Sequence, residues 1–295
     1  QHGQAQQLLL GSGRRALAGL RAVETLRRAG FDGRIEWIGA ESHEPYDRPP
    51  LSKQVLRGEW GPERIALARN GLAGFAAQRH FGRRALRLDV AARRIELDDG
   101  DFVAFDGLVI ATGASPRKLP GQPTLVGVSV LRTLDDALAI RDALAARPRV
   151  VVVGGGFIGA EGAASCRQRG AAVTMVEALG NPLEQALGPE LGTLYAAIHR
   201  DHGVEVRTGV AVAAIEGERR VERVRLADGS VLPADLVVVG IGVRPETAWL
   251  EGSGIEVQDG VVCDASCATN VPGIVAAGDV ARWMNPRYGE SMRVE

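Results

Sequence analysis

Residues 154–159 read Gly-Gly-Gly-Phe-Ile-Gly, a G-x-G-x-x-G spacing. Its chemistry is anion binding. Gly154 serves a tight turn, Gly156 lets a pyrophosphate approach the backbone, and Gly159 lets a helix pack closely on the preceding strand. The amides at the start of that helix then face the phosphates. The spacing alone is a weak signal, but an apolar run at 150–153 precedes it and Glu177 closes the next apolar run. A carboxylate there accepts hydrogen bonds from a ribose 2′-hydroxyl and repels a 2′-phosphate, and no Arg follows it directly, so NADH is expected rather than NADPH.

A second glycine cluster opens the chain. Gly11-Ser12-Gly13-Arg14-Arg15-Ala16 fits G-x-G-x-x-A, while Ala18-Gly19 stands where a third glycine of such a motif is also expected. An Arg in a turn that needs positive φ costs on the order of 1 kcal/mol, which favours a lengthened loop keeping Gly11, Gly13 and Gly19. Glu41 is the candidate ribose acid in either register; the competing reading is a solvated loop carboxylate. Residues 45–53, Pro-Tyr-Asp-Arg-Pro-Pro-Leu-Ser-Lys, carry three prolines that stiffen the loop and can hold Arg48 and Lys53 at fixed positions.

The elements that must position these residues follow from periodicity. An apolar run at 6–10, a helical pattern at 16–28 and an alternating stretch at 34–38 make one βαβ unit; 150–153, a helix at 160–169 and a strand at 171–176 make another. After the first unit, segments 86–90, 93–97 and 101–105 read as an antiparallel meander, and 204–206, 210–215 and 221–227 repeat that pattern after the second. Apolar strands at 108–111 and 236–239 close the two halves. The fold class is α/β, with two Rossmann-like dinucleotide-binding domains that each carry a β-meander. The expected boundaries are 1–113 for the first part of one dinucleotide-binding domain, 114–247 for a second one inserted into it, and 248–295 for a return segment of the first; the family resemblance given below makes the first the FAD-binding and the second the NAD-binding domain.

Composition narrows the function. The 295 residues carry 35 Lys and Arg against 36 Asp and Glu, a net charge of −1, so no bulk attraction to nucleic acid or membrane is implied. Arg and Lys nowhere alternate with aromatics in a nucleic-acid pattern. No apolar run approaches the roughly 18 residues that cross a bilayer, and no basic signal-peptide start is visible. Three cysteines, Cys166, Cys263 and Cys267, supply neither a common iron-sulfur cluster nor a disulfide framework, and a reduced cytoplasmic protein is expected. Cys263 and Cys267 are read as small buried residues rather than a redox pair, His199 and His202 as helix-end residues rather than metal ligands, and Asp135-Asp136 as a helix start.

Residues 48–53, Arg-Pro-Pro-Leu-Ser-Lys, resemble the signature of the FAD-dependent NADH:ferredoxin reductases, the group of putidaredoxin reductase and rhodocoxin reductase. The likeness continues through 110–114, 131–133, 154–161, 235–245 and 276–280, so it covers nearly the whole chain. It implies FAD and NADH as cofactors and a C-terminal α+β domain, of which residues 292–295 resemble only the approach; the rest of that domain is expected to be missing. On matching positions, Asp279 resembles the acid that hydrogen-bonds the ribityl chain, and Lys53 and Arg132 resemble flavin-contacting residues. Ala85 stands where a backbone group meets the adenine. Arg48, Thr112 and Gly113 are placed with them on the FAD side, and Gly242 on the NAD side. Glu161 resembles the glutamate that faces the flavin near the nicotinamide, and an ion pair with Lys53 is expected; the competing role is an acid favoured by its helix N-terminus.

The resemblance further implies hydride transfer from NADH to flavin N5 and single-electron delivery to a 2Fe-2S ferredoxin that feeds a cytochrome P450 or an oxygenase. A cysteine route is closed, because no Cys lies in the first half of the chain. Two other readings stay open: a non-catalytic nucleotide-binding protein like the apoptosis-inducing relatives of this fold, and an NADH oxidase or small-molecule reductase.

Overall fold

Short apolar strands that end in small residues dictate the layout. The computed structural model describes residues 7–12, 17–68 and 71–293. The chain forms two units: one holds the residues through Asp47 with Ala66–Ser115 and everything from Arg244 onward, the other Arg48–Ile65 with Pro116–Val243.

In the first unit five described strands lie parallel in the order Ile274–Ala276, Gly107–Ile110, Gln7–Ser12, Arg34–Gly39, Ala77–Phe81. Helix Leu17–Arg28 buries Gly19, Leu20 and Val23, and the last two pack with Ile35, Trp37 and Leu72 in one cluster. Ile38, Leu108 and Ile110 join a second cluster with Leu88, Ile95, Leu97 and Val103 of the antiparallel meander Ala85–Asp89, Arg94–Leu97, Phe102–Ala104. With apolar clusters drawing on alternate strand positions, the strand at 34–39 reads as a nearly continuous buried run.

The second unit repeats the scheme. Its described sheet is parallel, in the order Val204–Thr208, Ala172–Glu177, Arg149–Val153, Leu236–Val239, Val128–Val130. Helix Leu134–Ala143 starts where Asp135-Asp136 points: Thr133 caps it, and Asp136 completes a capping box, an arrangement worth about 1 kcal/mol. The meander is Val212–Glu216, Arg223–Leu226, Val231–Pro233.

Several expectations shift. Residues 48–65, assigned by sequence to the first domain, belong to the second unit, because Leu51, Ser52 and Val55 of a π-helical turn are buried and pack against helices Leu134–Ala143 and Phe157–Gln168. The glycine-loop helix begins at Phe157, not residue 160, since Gly156 is its N-cap. The segment from Val204 pairs parallel with Ala172–Glu177 and is a sheet strand, not part of the meander. Strand Ala77–Phe81 escapes the sequence reading because it is a polar edge strand, Ala-Gln-Arg-His-Phe. Gly13 lies outside the described residues, so the register of the first glycine loop does too; Gly11 ends within strand Gln7–Ser12 and Gly19 lies in the following helix.

Candidate dinucleotide sites

In the second unit the three motif glycines do different things. Gly154 sits at φ +98°, and a Cβ there would come within 2.5 Å of the Gly240 carbonyl oxygen. A Cβ on Gly159 would lie 1.9 Å from the Gly154 carbonyl oxygen, so helix and loop touch backbone to backbone. Around Gly156 nothing lies within 4 Å of the same construction. The loop is therefore closed on the sheet and helix sides and open at its middle. Gly156 caps helix Phe157–Gln168 in an extended conformation with no side-chain hydrogen bond, leaving the first amides of the helix for an anion.

Glu177 ends the neighbouring strand and turns toward this loop. Its Oε2 accepts from the Gly155 amide at 2.6 Å and its Oε1 from the Leu179 amide at 2.8 Å. Two backbone donors fix the carboxylate beside the opening, and each oxygen keeps a further lone pair for a ribose hydroxyl. Gly242, at φ +91°, follows strand Leu236–Val239, and its carbonyl accepts from the Arg117 amide. These residues fit the pyrophosphate and ribose of a dinucleotide.

The same unit brings Lys53 and Glu161 together. Lys53 Nζ stands 2.7 Å from Glu161 Oε2, and the Ser52 hydroxyl donates to that same oxygen at 2.6 Å. Lys53 Nζ also donates to the Pro49 carbonyl at 3.2 Å, and the buried Ser165 hydroxyl donates to the Ser52 carbonyl at 2.6 Å. Lys53 and Glu161 are each about one-third exposed, so the pair itself contributes about 1 kcal/mol or less to stability. Arg48 Nη1 donates to the Arg132 carbonyl at 2.7 Å, so these two arginines also meet. The sequence reading quoted Ser52 only within its motif and missed Ser165. The available signal was spacing: Ser165 follows Glu161 by one helical turn and shares its face.

In the first unit the candidates gather near the carboxyl ends of the parallel strands, where open α/β sheets bind ligands. Glu41 follows strand Arg34–Gly39 and accepts from the Tyr46 hydroxyl at 2.5 Å. Thr112 and Gly113 follow Gly107–Ile110; the Thr112 hydroxyl donates to the Glu246 carbonyl at 2.7 Å, and Gly113 stands at φ +67°. Asp279 lies on a turn after Ile274–Ala276, and the adjoining Gly278 approaches Ala18 at the start of the first helix so closely that a Cβ would lie 3.0 Å from the Ala18 Cβ. Ala85 and Thr112 line one cavity of about 190 Å³ with Arg84, Leu86, Glu246, Ala248 and Trp249. An acid after the second strand, an Asp279-bearing turn close to the first helix and a cleft at Thr112 suit a second dinucleotide.

The thiols suit a structural role. Burial pushes Cys166 up to about 12, and burial with the neighbouring Cys267 pushes Cys263 up to about 11, so neither is a ready thiolate. His199 is buried on helix Glu184–Asp201 and His202 follows the helix end. Among the described residues no helix is long and apolar enough to cross a membrane.

Comparison with known proteins agrees with this geometry. Residues 6–293 match the family described as pyridine nucleotide-disulphide oxidoreductase. The ferredoxin–NAD(+) reductase component of the biphenyl dioxygenase system of Paraburkholderia xenovorans (strain LB400) is 40% identical over 276 residues, 93% of this chain and 67% of that protein. Rhodocoxin reductase of Rhodococcus erythropolis is 37% identical, over 98% of this chain and 67% of its own length. A solved structure, the covalent putidaredoxin reductase–putidaredoxin complex, superposes with a TM-score of 0.93 at 34% identity, covering 99% of this chain and 71% of that one. With matches of this extent, the chain belongs to the pyridine nucleotide-disulphide oxidoreductase family, as a relative of its ferredoxin–NAD(+) reductases.

Proposed function

We infer that this chain is a flavoprotein oxidoreductase that takes a hydride from NADH and passes electrons one at a time to a 2Fe-2S ferredoxin serving a cytochrome P450 or an oxygenase. The observation that carries the reading is the open Gly156 position beside the doubly held Glu177 carboxylate, on the same unit as the Lys53–Glu161 pair. The names of the relatives supply the acceptor. The family's cofactors are FAD and NADH.

The first unit holds FAD through Gly11, Gly13 and Gly19 at the pyrophosphate, Glu41 at the ribose, Ala85 at the adenine, Thr112 and Gly113 beside it, and Asp279 at the ribityl chain. The second holds NADH through Gly154, Gly156, Gly159, Glu177 and Gly242. Bound FAD supplies the exchange between a donor of electron pairs and an acceptor of single electrons. By the family resemblance Arg48, Arg132 and Lys53 are assigned to the flavin, and Glu161 holds the Lys53 ammonium. Glu177 selects NADH by accepting from the 2′-hydroxyl and repelling a 2′-phosphate. No cysteine relays electrons, consistent with an external acceptor. The protein is placed in the cytoplasm.

The test is a coupled assay: purified protein, FAD, NADH, a panel of 2Fe-2S ferredoxins and cytochrome c as terminal dye. Cytochrome c reduction that requires a ferredoxin supports the proposal. Equal reduction without one points to an oxidase or small-molecule reductase, and none under any condition points to a non-catalytic nucleotide-binding protein.

A further inference from the structure

The geometry points to Ser165 as a positioning residue that acts through Ser52 to set the Lys53–Glu161 pair, an inference that deepens the reductase reading and rests on it. A serine in the middle of a helix ordinarily turns its hydroxyl back to the carbonyl one turn earlier or out to water. Ser165 does neither. It is 1% exposed and donates at 2.6 Å to the main-chain carbonyl of Ser52, on the π-helical turn Leu51–Val55. Single π turns recur at functional sites.

Ser52 is thereby held twice by one helix. Its carbonyl accepts from Ser165, and its hydroxyl donates at 2.6 Å to Glu161 Oε2, one turn earlier on the same face. The next residue on the turn, Lys53, reaches the same Oε2 at 2.7 Å. Both described donors to this carboxylate converge on a single oxygen, so Glu161 can rotate only if both bonds break. The Ser165 bond pins the backbone from which both donors project. It fixes one end of a rigid triangle, Ser165 to Ser52 to Glu161, and Lys53 is oriented by that triangle together with the Pro49 carbonyl. A residue that merely satisfied a buried carbonyl would need no such coupling to the ion pair.

The experiment uses the full chain with FAD added, as the parent and as Ser165→Ala, Ser165→Thr and Ser52→Ala. Anaerobic stopped-flow reads flavin bleaching by NADH, and amide hydrogen exchange reads residues 53–56 without and with FAD. Ser165→Ala and Ser52→Ala should bleach about tenfold more slowly at saturating NADH, the equivalent of one net hydrogen bond of about 1.4 kcal/mol. The NADH concentration for half-saturation should move less than about twofold, because the glycine cradle is untouched. Ser165→Thr, which keeps the hydroxyl, should recover most of the rate, and exchange at 53–56 should rise in Ser165→Ala. A folded Ser165→Ala with the parental rate, or one whose loss falls on half-saturation, overturns the inference. If Ser165→Ala does not fold, Ser52→Ala decides by the same two kinetic criteria. A parent that NADH fails to bleach sinks the reductase reading instead; exchange at 53–56 then still reads the turn, and unchanged exchange overturns the positioning role as well.

Discussion

Two alanine substitutions three residues apart should fail in opposite ways. At Gly159 the added Cβ would lie 1.9 Å from the Gly154 carbonyl oxygen, more than an ångström inside the closest approach that Cβ atoms make. The obstacle is backbone in a turn at φ +98°, which has little room to yield. Overpacking of this kind costs about 1–3 kcal/mol or more, and the helix-propensity gain of Gly→Ala returns about 1 kcal/mol. Taking the upper end because the clash is with backbone, the net cost is about 2 kcal/mol or more, a fall of at least about 4–8 °C in Tm for a domain of roughly 150 residues. At Gly156 the added methyl meets nothing within 4 Å and the backbone is extended, so only the weaker capping by Ala counts, less than about 1 kcal/mol and less than about 3 °C. In the proposed binding mode that methyl stands in the path of the pyrophosphate. Losing one charge-assisted amide–phosphate bond, about 1.5–3 kcal/mol, should raise the NADH Kd at least about tenfold. Thermal unfolding and NADH titration of both variants check the pair. Parental NADH affinity in Gly156→Ala, or parental Tm in Gly159→Ala, would refute the division of labour within the loop.

Other expectations follow from the same contacts. Glu177→Ala should narrow the preference for NADH over NADPH by about tenfold in kcat/KM, since it removes the acceptor for the 2′-hydroxyl and the charge that repels a 2′-phosphate; competing steady-state assays read it, and an unchanged ratio counts against its role at the ribose. Lys53→Ala should slow single-turnover flavin reduction by about tenfold through loss of the ammonium held by Glu161, and an unchanged rate removes the pair from the chemistry. Burial first, and the neighbouring His202 second, hold His199 below the ordinary imidazole range. The unfolded chain thus takes up a proton before the folded one does, so stability is full above about pH 6.5 and declines as pH falls through that value toward the lower folded one. His199→Gln should flatten the slope of Tm between about pH 7.5 and 5.5, and an unaltered slope would exclude His199 as its source.

What the sequence makes legible follows from how local each cause is. The parallel strands at 150–153 and 236–239 are apolar runs ended by glycine, and the spacing of Gly154, Gly156 and Gly159 between strand and helix marks the loop; the Gly159 contact with Gly154 is local, whereas the Gly154 contact with Gly240 is made across the sheet. Asp136 in its capping box is equally local. The Lys53–Glu161 pair spans far-separated segments and becomes visible only through the family resemblance. Strand Ala77–Phe81 carries no apolar alternation because it is an edge, and segment 48–65 reads as part of the first half because nothing in its sequence announces that Leu51 and Val55 pack on the second unit. Ser165 looks like any small helical residue until its hydroxyl is seen on the Ser52 carbonyl.

The central claim is that one polypeptide binds FAD and NADH so that electrons cross between them. Anaerobic mixing of the FAD-loaded protein with NADH, followed in the visible spectrum, tests it most directly. The account predicts that the flavin bands bleach in a single turnover and return when a 2Fe-2S ferredoxin is added. Bands that persist under excess NADH, in a protein that demonstrably holds both dinucleotides, would contradict it.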